Sequence, residues 1–103
     1  MTFGQIISDA RKEANLSQKE LATRVKKEDG QPISPQYLND IERDRRNPPS
    51  DFLIEQFAAM LNIPPEVLYF HAGELPADIK ETQADTEHVV DAFKAFRKTL
   101  RGN

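Results

Sequence analysis

Two stretches, Leu16-Ser17-Gln18-Lys19-Glu20-Leu21-Ala22 and Ile33-Ser34-Pro35-Gln36-Tyr37-Leu38-Asn39-Asp40-Ile41-Glu42-Arg43, decide how this chain folds. In the first, Ser17 and Glu20 stand at the spacing of a capping box, in which each side chain bonds the other residue's backbone amide. A helix starts there, and Leu21, Ala22 and Val25 give it an apolar stripe. In the second, a serine hydroxyl precedes a proline, so the cap is followed by a residue with no N–H to leave unbonded. Tyr37, Leu38 and Ile41 then point one way, while Pro35, Gln36, Asn39, Asp40 and Arg43 fall on the other faces. The outcome is two short helices in succession, the later one with a polar face that no packing claims.

Outward from this pair, the same signals repeat. Thr2 and Gln5 form another capping box, and Phe3, Ile6, Ile7, Ala10 and Ala14 recur at helical steps until Asn15, which suits a left-handed stop. Lys26 to Pro32 holds no apolar residue and contains Gly30, so it reads as an exposed loop. Asp44 to Pro49 ends the third helix, and Ser50 caps a fourth that carries Leu53, Ile54, Phe57, Ala58 and Leu61. Pro64-Pro65 opens a short fifth helix with Val67, Leu68 and Phe70, closed by Gly73. Residues 74–86 are polar apart from Leu75 and Ile79, which predicts a linker with two docking residues. From Glu87, the residues Val89, Phe93, Phe96 and Leu100 form a heptad-like seam widened by Val90, Ala92 and Ala95.

The expected architecture is therefore all-α. A five-helix bundle over 1–73 is followed by a linker at 74–86 and an amphipathic helix at 87–103, a dimerisation element. A chain of 103 residues has room for one modest core and little more. The absence of cysteine excludes a disulfide framework, thiolate metal sites and a cysteine nucleophile. No apolar run approaches the roughly 20 residues that span a bilayer, and the first residues lack a basic region followed by an apolar one, so no membrane partner is expected and the expected compartment is the cytoplasm. Net charge is −3, which gives no bulk cationic attraction to nucleic acid. Any such binding must be local.

Catalysis finds no constellation to rest on. His71 and His88 stand alone, without a second ligand at metal spacing, and Ser34 and Ser50 are caps unaccompanied by a histidine–aspartate arrangement. No catalytic residue, metal or cofactor is expected.

Taken together, Arg11 before Leu16-Ser17-Gln18, Glu20-Leu21-Ala22, Tyr37-Leu38 with Ile41-Glu42, and the Asn47-Pro48 exit resemble the phage-repressor helix-turn-helix family, also called Cro-like or xenobiotic-response-element (XRE) regulators. The resemblance covers residues 2 to about 73. It implies that the third helix, about 35–44, enters the major groove of double-stranded DNA, which is wide enough for an α-helix. Pro35, Gln36, Asn39 and Asp40 then fall at base-facing positions, with Ser34 and Tyr37 near the backbone or base edges. Gln18 matches a residue that meets a phosphate, and Arg43, Arg45 and Arg46 are the cationic phosphate ligands. Arg11 and Glu42 match positions that pair between the first and third helices.

The residue types suit these roles, since Gln and Asn can bond two edges of adenine and arginine forks grip phosphate oxygens. Asp40 fits only donors such as cytosine N4. Two departures stand out. Seven residues separate Val25 from Ile33 where the family usually has a single one, so the insert 26–32 either widens the DNA footprint through Lys26 and Lys27 or meets another protein. Asp44 replaces the glycine common after the recognition helix, at some conformational cost. The expected function is a homodimeric, sequence-specific repressor. The alternative is a protein-interaction module, such as an antitoxin or adaptor, that binds through the insert or the C-terminal helix. Residues 34–50 carry three positive and three negative charges, a balance that favours the alternative.

Overall fold

The first four helices all start on the hydroxyl that the sequence offers them. Thr2 Oγ1 accepts the Gln5 amide at 3.1 Å while Gln5 accepts the Thr2 amide at 2.8 Å, and Ser17 and Glu20 exchange the same two bonds at 3.0 Å each. Ser34 takes the Tyr37 amide at 3.0 Å and Ser50 the Leu53 amide at 3.4 Å. In this computed structural model, which describes residues 1–102, the helices are α1 (Phe3–Glu13), α2 (Gln18–Arg24), α3 (Pro35–Glu42), α4 (Asp51–Leu61), α5 (Pro65–Ala72), α6 (Ala77–Lys80) and α7 (Thr86–Arg101). Among the described residues no helix is long and apolar enough to cross a membrane.

Phe3, Ile7, Leu21, Val25, Ile33, Leu38, Ile41, Ile54, Phe57, Leu61 and Leu68 form one continuous core shared by α1 to α5. The stripes read from the sequence supply nearly all of it. The exception is α5, where Leu68 and Tyr69 are buried and Val67 and Phe70 face outward. A two-turn helix with apolar residues on opposite sides cannot bury both, and the side that carries Tyr69 also satisfies a polar atom. The Tyr69 hydroxyl donates to Glu55 Oε2 at 2.7 Å, and burial followed by that bond pushes the phenol pKa far above its ordinary value.

Asp44 has a function that its sequence position hides. Its φ of +57° is the left-handed conformation, as are those of Asn15 (+58°) and Asn62 (+54°), which end α1 and α4. From there its carboxylate turns to the start of α1, where Oδ1 accepts the Gly4 amide at 2.9 Å and Oδ2 the Thr2 hydroxyl at 2.5 Å. A carboxylate at a helix N-terminus satisfies an orphan donor and meets the positive end of the dipole. The conformational cost at Asp44 is thus offset by a tie between the end of α3 and the start of α1. Gly4 makes that tie possible: a Cβ there would lie 2.5 Å from the Ile41 carbonyl and 2.6 Å from that of Glu42.

The insert is exposed, as expected, yet it is a hairpin rather than an irregular loop. Lys26 and Pro32 form an antiparallel bridge, with bonds from Ile33 N to Val25 O (3.0 Å) and from Lys27 N to Gln31 O (2.8 Å). Gly30, at φ +84°, turns the chain. The linker contains the single turn α6. Leu75 and Ile79 stay 42% and 50% exposed, so they do not dock into the bundle core; Lys80 holds the segment instead, through Asp51 at 2.8 Å and Glu74 at 3.4 Å. Beyond it α7, capped by Asp85, has no buried residue. The radius of gyration of 15.5 Å, against about 13 Å for a compact chain of this length, reflects that projecting helix.

Gly4→Ala should destabilise the fold by about 1 to 3 kcal/mol although alanine is the better helix former, because backbone carbonyls cannot yield to the added methyl. Urea denaturation of the two proteins measures the difference.

Candidate nucleic-acid interface

On α3 the spacing of Pro35, Gln36, Asn39, Asp40 and Arg43 collects five side chains on one side of the helix, while Leu38, Ile41 and Glu42 are buried on the other. Pro35, Gln36 and Arg43 are exposed; Asn39 and Asp40 are half-buried. Ser34 is exposed at the helix start, and its oxygen already accepts the Tyr37 amide. Arg45 and Arg46 follow beyond the helix end, both exposed.

The position of α3 rests on Glu42. Arg11 grips its carboxylate with two bonds, Nε to Oε2 at 2.6 Å and a terminal nitrogen to Oε1 at 2.9 Å, and its other terminal nitrogen donates to the Leu16 carbonyl at 2.8 Å. Side-chain exposures of 11% and 5% make the pair almost fully buried. The hydrogen bond that Arg11 donates to Glu42 raises the Arg11 pKa against a burial that lowers it. Gln18 Nε2 adds a third bond to Glu42 at 3.0 Å and one to Asn39 Oδ1 at 3.1 Å. The Gln18 amide nitrogen is therefore occupied inside the chain, and its amide oxygen has no partner among the described residues. Asn39 Oδ1 also receives Arg43 Nε at 3.3 Å, which leaves the Asn39 amide nitrogen as the group able to reach out.

Charge on this side is not the balance that counting suggests. Glu42 points inward to Arg11 and Asp44 to the start of α1, so two of the three carboxylates in residues 34–50 are held on the bundle side. What remains outward is three arginines against Asp40. That carboxylate receives Gln36 Nε2 at 3.0 Å and Arg46 Nε at 3.4 Å, and Arg43 and Arg45 make no ion pair among the described residues. Arg46 also lies 5.0 Å over the Tyr37 ring, a cation–π contact. Burial pushes the Tyr37 phenol pKa up, against the pull of Arg46.

A second surface lies away from α3, on α5, the linker and α7. Val67, Phe70, Leu75, Ile79, Phe93, Phe96 and Leu100 are each between 38% and 58% exposed and line an open apolar groove of about 900 Å³ between α5, the linker and α7. The Phe70 and Phe96 rings meet across it at 6.5 Å. The histidines take no part in a metal cluster: His71 packs edge-on to Phe70 at 5.1 Å and His88 pairs with Asp85 at 2.9 Å. Among the described residues there is no group of three or more histidine, cysteine or acidic side chains that could hold a metal ion.

Sequence reasoning reached every residue of the polar face but missed two supports, the Asp44 cap and the close approach at Gly4. A glycine inside the first turn of a helix, where alanine would serve better, was the available signal for the latter.

A family model described as Helix-turn-helix (HTH_3) matches residues 7–68, from within α1 to within α5. Among solved structures, that of SinR, described as the master regulator for biofilm formation, in complex with DNA is 33% identical. It superposes with a TM-score of 0.55 over 65% of this chain and 97% of that one. A chain of the SinR–SinI protein complex is 30% identical, with a TM-score of 0.55 over 97% of this chain and 92% of that one. No curated protein matches.

Glu42→Ala should cost about 3 to 5 kcal/mol, since it strands the buried Arg11 charge and frees Gln18 and Asn39 together. A shift of the urea midpoint with unchanged slope is the expected result; a loss below about 1 kcal/mol would mean that the pair does not hold α3.

Proposed function

The chain belongs to the helix-turn-helix family of the HTH_3 type, and from that premise we propose that it is a homodimeric, sequence-specific DNA-binding repressor of transcription, acting in the cytoplasm and reading the major groove with α3. It is a regulator and not an enzyme. The observation that carries the reading is the outward charge of the α3 segment. With Glu42 and Asp44 held on the bundle side, Arg43, Arg45 and Arg46 form a local cationic edge on an acidic protein. Local positive charge of this kind supplies the salt-dependent attraction to phosphates.

Roles follow from what each atom has free. Gln36 and Asn39 offer amide groups to base edges, and Asp40, which holds Gln36 and Arg46 in the free protein, either reads a cytosine amine or releases both on contact with DNA. Pro35 and Ser34 lead the helix into the groove, and Gln18, whose side-chain N–H groups are engaged by Asn39 and Glu42, meets a phosphate with its backbone N–H at the start of α2. The similarity to SinR, solved with DNA, supports the same use of the fold here.

Dimerisation through α7 completes the proposal. Apolar side chains left 40% to 58% exposed along Val89, Val90, Phe93, Phe96 and Leu100 make a patch that a lone soluble chain rarely keeps bare. A pair of chains would present two recognition helices about 34 Å apart, one turn of DNA, to a near-palindromic site. A second reading keeps one specific support: the similar SinR chain that covers most of this one was solved with the SinI protein. A module that binds another protein through α7 would use the same apolar groove, and one that binds through the insert would use a separate surface.

Selecting bound duplexes from a random-sequence pool, followed by gel shifts over a salt series, tests the main reading; a chain that retains no duplex overturns it. Gln36→Ala should lower affinity for the selected site by about 1 to 3 kcal/mol and leave scrambled DNA unaffected. Arg46→Ala should weaken both alike and flatten the salt slope by about one. Truncation after Ala84 should give a folded monomer by sedimentation, with site binding reduced about 10²-fold or more. A truncated chain that still dimerises would place the interface elsewhere.

A further inference from the structure

The hairpin Lys26–Pro32 does not stand clear of the helices. Between it and α3 lies a cleft of about 470 Å³ lined by Lys27 and Pro32 from the hairpin, Ser34 and Tyr37 from the start of α3, and Arg46 from beyond its end. Two cations thus share one cleft, and no carboxylate lines it. Lys27 forms no ion pair among the described residues, although Glu28 and Asp29 follow it directly; Asp29 is turned to the Gln31 amide at 2.9 Å, inside the hairpin turn. Arg46 spends its Nε on Asp40 and lays its guanidinium on Tyr37, and its two terminal nitrogens make no bond among the described residues. The Tyr37 hydroxyl makes none either. The two neighbouring lysines differ: the Lys26 ammonium is folded back onto the Thr23 carbonyl at 2.7 Å, away from the cleft.

We propose that this cleft is a seat for a backbone phosphate of duplex DNA, gripped by Lys27 and Arg46 and bonded by the Tyr37 hydroxyl. The proposal rests on the DNA-binding reading above and extends it to the insert. Like charges facing one space repel until an anion enters between them, and a phosphodiester supplies the anion with oxygens for several donors at once. Hydrogen bonds fix the stem that carries Lys27. The bond from Ile33 to Val25 and that from Lys27 to Gln31 close its stem, and Gln56 of α4 accepts the Lys26 amide at 3.3 Å. The acidic tip at Glu28 and Asp29 repels phosphates, so the stem and not the tip meets the strand. The insert then extends the backbone contact beyond the start of α3, on the side away from Arg43.

The test uses the full chain, a duplex that the wild-type protein selects from a random pool, and a scrambled duplex. Lys27→Ala should weaken both equally and reduce the slope of log affinity against log salt by about 0.9. The wild-type advantage should accordingly shrink by about 3.5-fold between about 50 and about 200 mM salt. Lys26→Ala, which removes the same formal charge one residue away, should leave the slope within error of wild type. Replacing single phosphates by methylphosphonates should reveal one position that weakens the wild-type protein more than it weakens Lys27→Ala, in which Arg46 and Tyr37 still meet that phosphate. Lys27→Ala with unchanged affinity and slope overturns the seat while the wider reading stands, and leaves the hairpin to a protein partner. An equal loss in Lys26→Ala also overturns it, by reducing the effect to bulk charge. A wild-type chain that binds no duplex overturns both readings.

Discussion

The carboxylate of Glu42 is the point on which the polar face of α3 depends. It accepts two bonds from Arg11 on α1 and one from Gln18 on α2, so three helices meet at a single buried charge. Removing a carboxylate from water is expensive, and the cost is offset only because the bidentate fork and the third donor leave little of the charge unbonded. The same geometry gives direction as well as stability. A simple apolar contact between α1 and α3 would tolerate rotation of α3 about its axis, whereas a fork fixed at both oxygens does not. Asn39, tied to Gln18, inherits that fixed orientation.

Directing Glu42 inward also alters the electrostatics outside. Asp44 acts in the same sense from its left-handed conformation, binding the start of α1 with both oxygens. Two carboxylates that would screen the arginines are thereby drawn to the side of the bundle, and Asp40 alone stays among them. Net charge and local field are different quantities: a protein at −3 can carry a cationic edge when its acids are spent on structure. Close approach at Gly4 is the steric condition for this arrangement, because the carbonyls of Ile41 and Glu42 occupy the space of a side chain.

Helix α5 divides its apolar residues between two duties. Leu68 and Tyr69 complete the core, while Val67 and Phe70 join the exposed groove that α7 faces. An apolar stripe that shares its helix with a core-facing one has no use within a single bundle of this size. The ion pairs of Lys80 hold α6 to α4 and so keep the groove beside the bundle, although neither Leu75 nor Ile79 is buried.

Local chemistry determined much of this protein directly. Capping residues, helical stripes and stop signals are written within a turn or two of where they act, so the helices through α5, the long C-terminal helix and the polar side of α3 were legible from Thr2, Ser17, Ser34, Ser50 and the spacing of their apolar followers. The Arg11–Glu42 pair was legible only through family resemblance, since a contact across 31 positions leaves no local trace. Tertiary structure alone decided the rest: that Asp44 caps a helix 40 residues away, that Tyr69 and not Phe70 enters the core, and that Lys27 and not Lys26 faces α3. In each case the deciding energy is a contact between distant segments, whose side-chain direction depends on how the helices pack and not on the residues beside it.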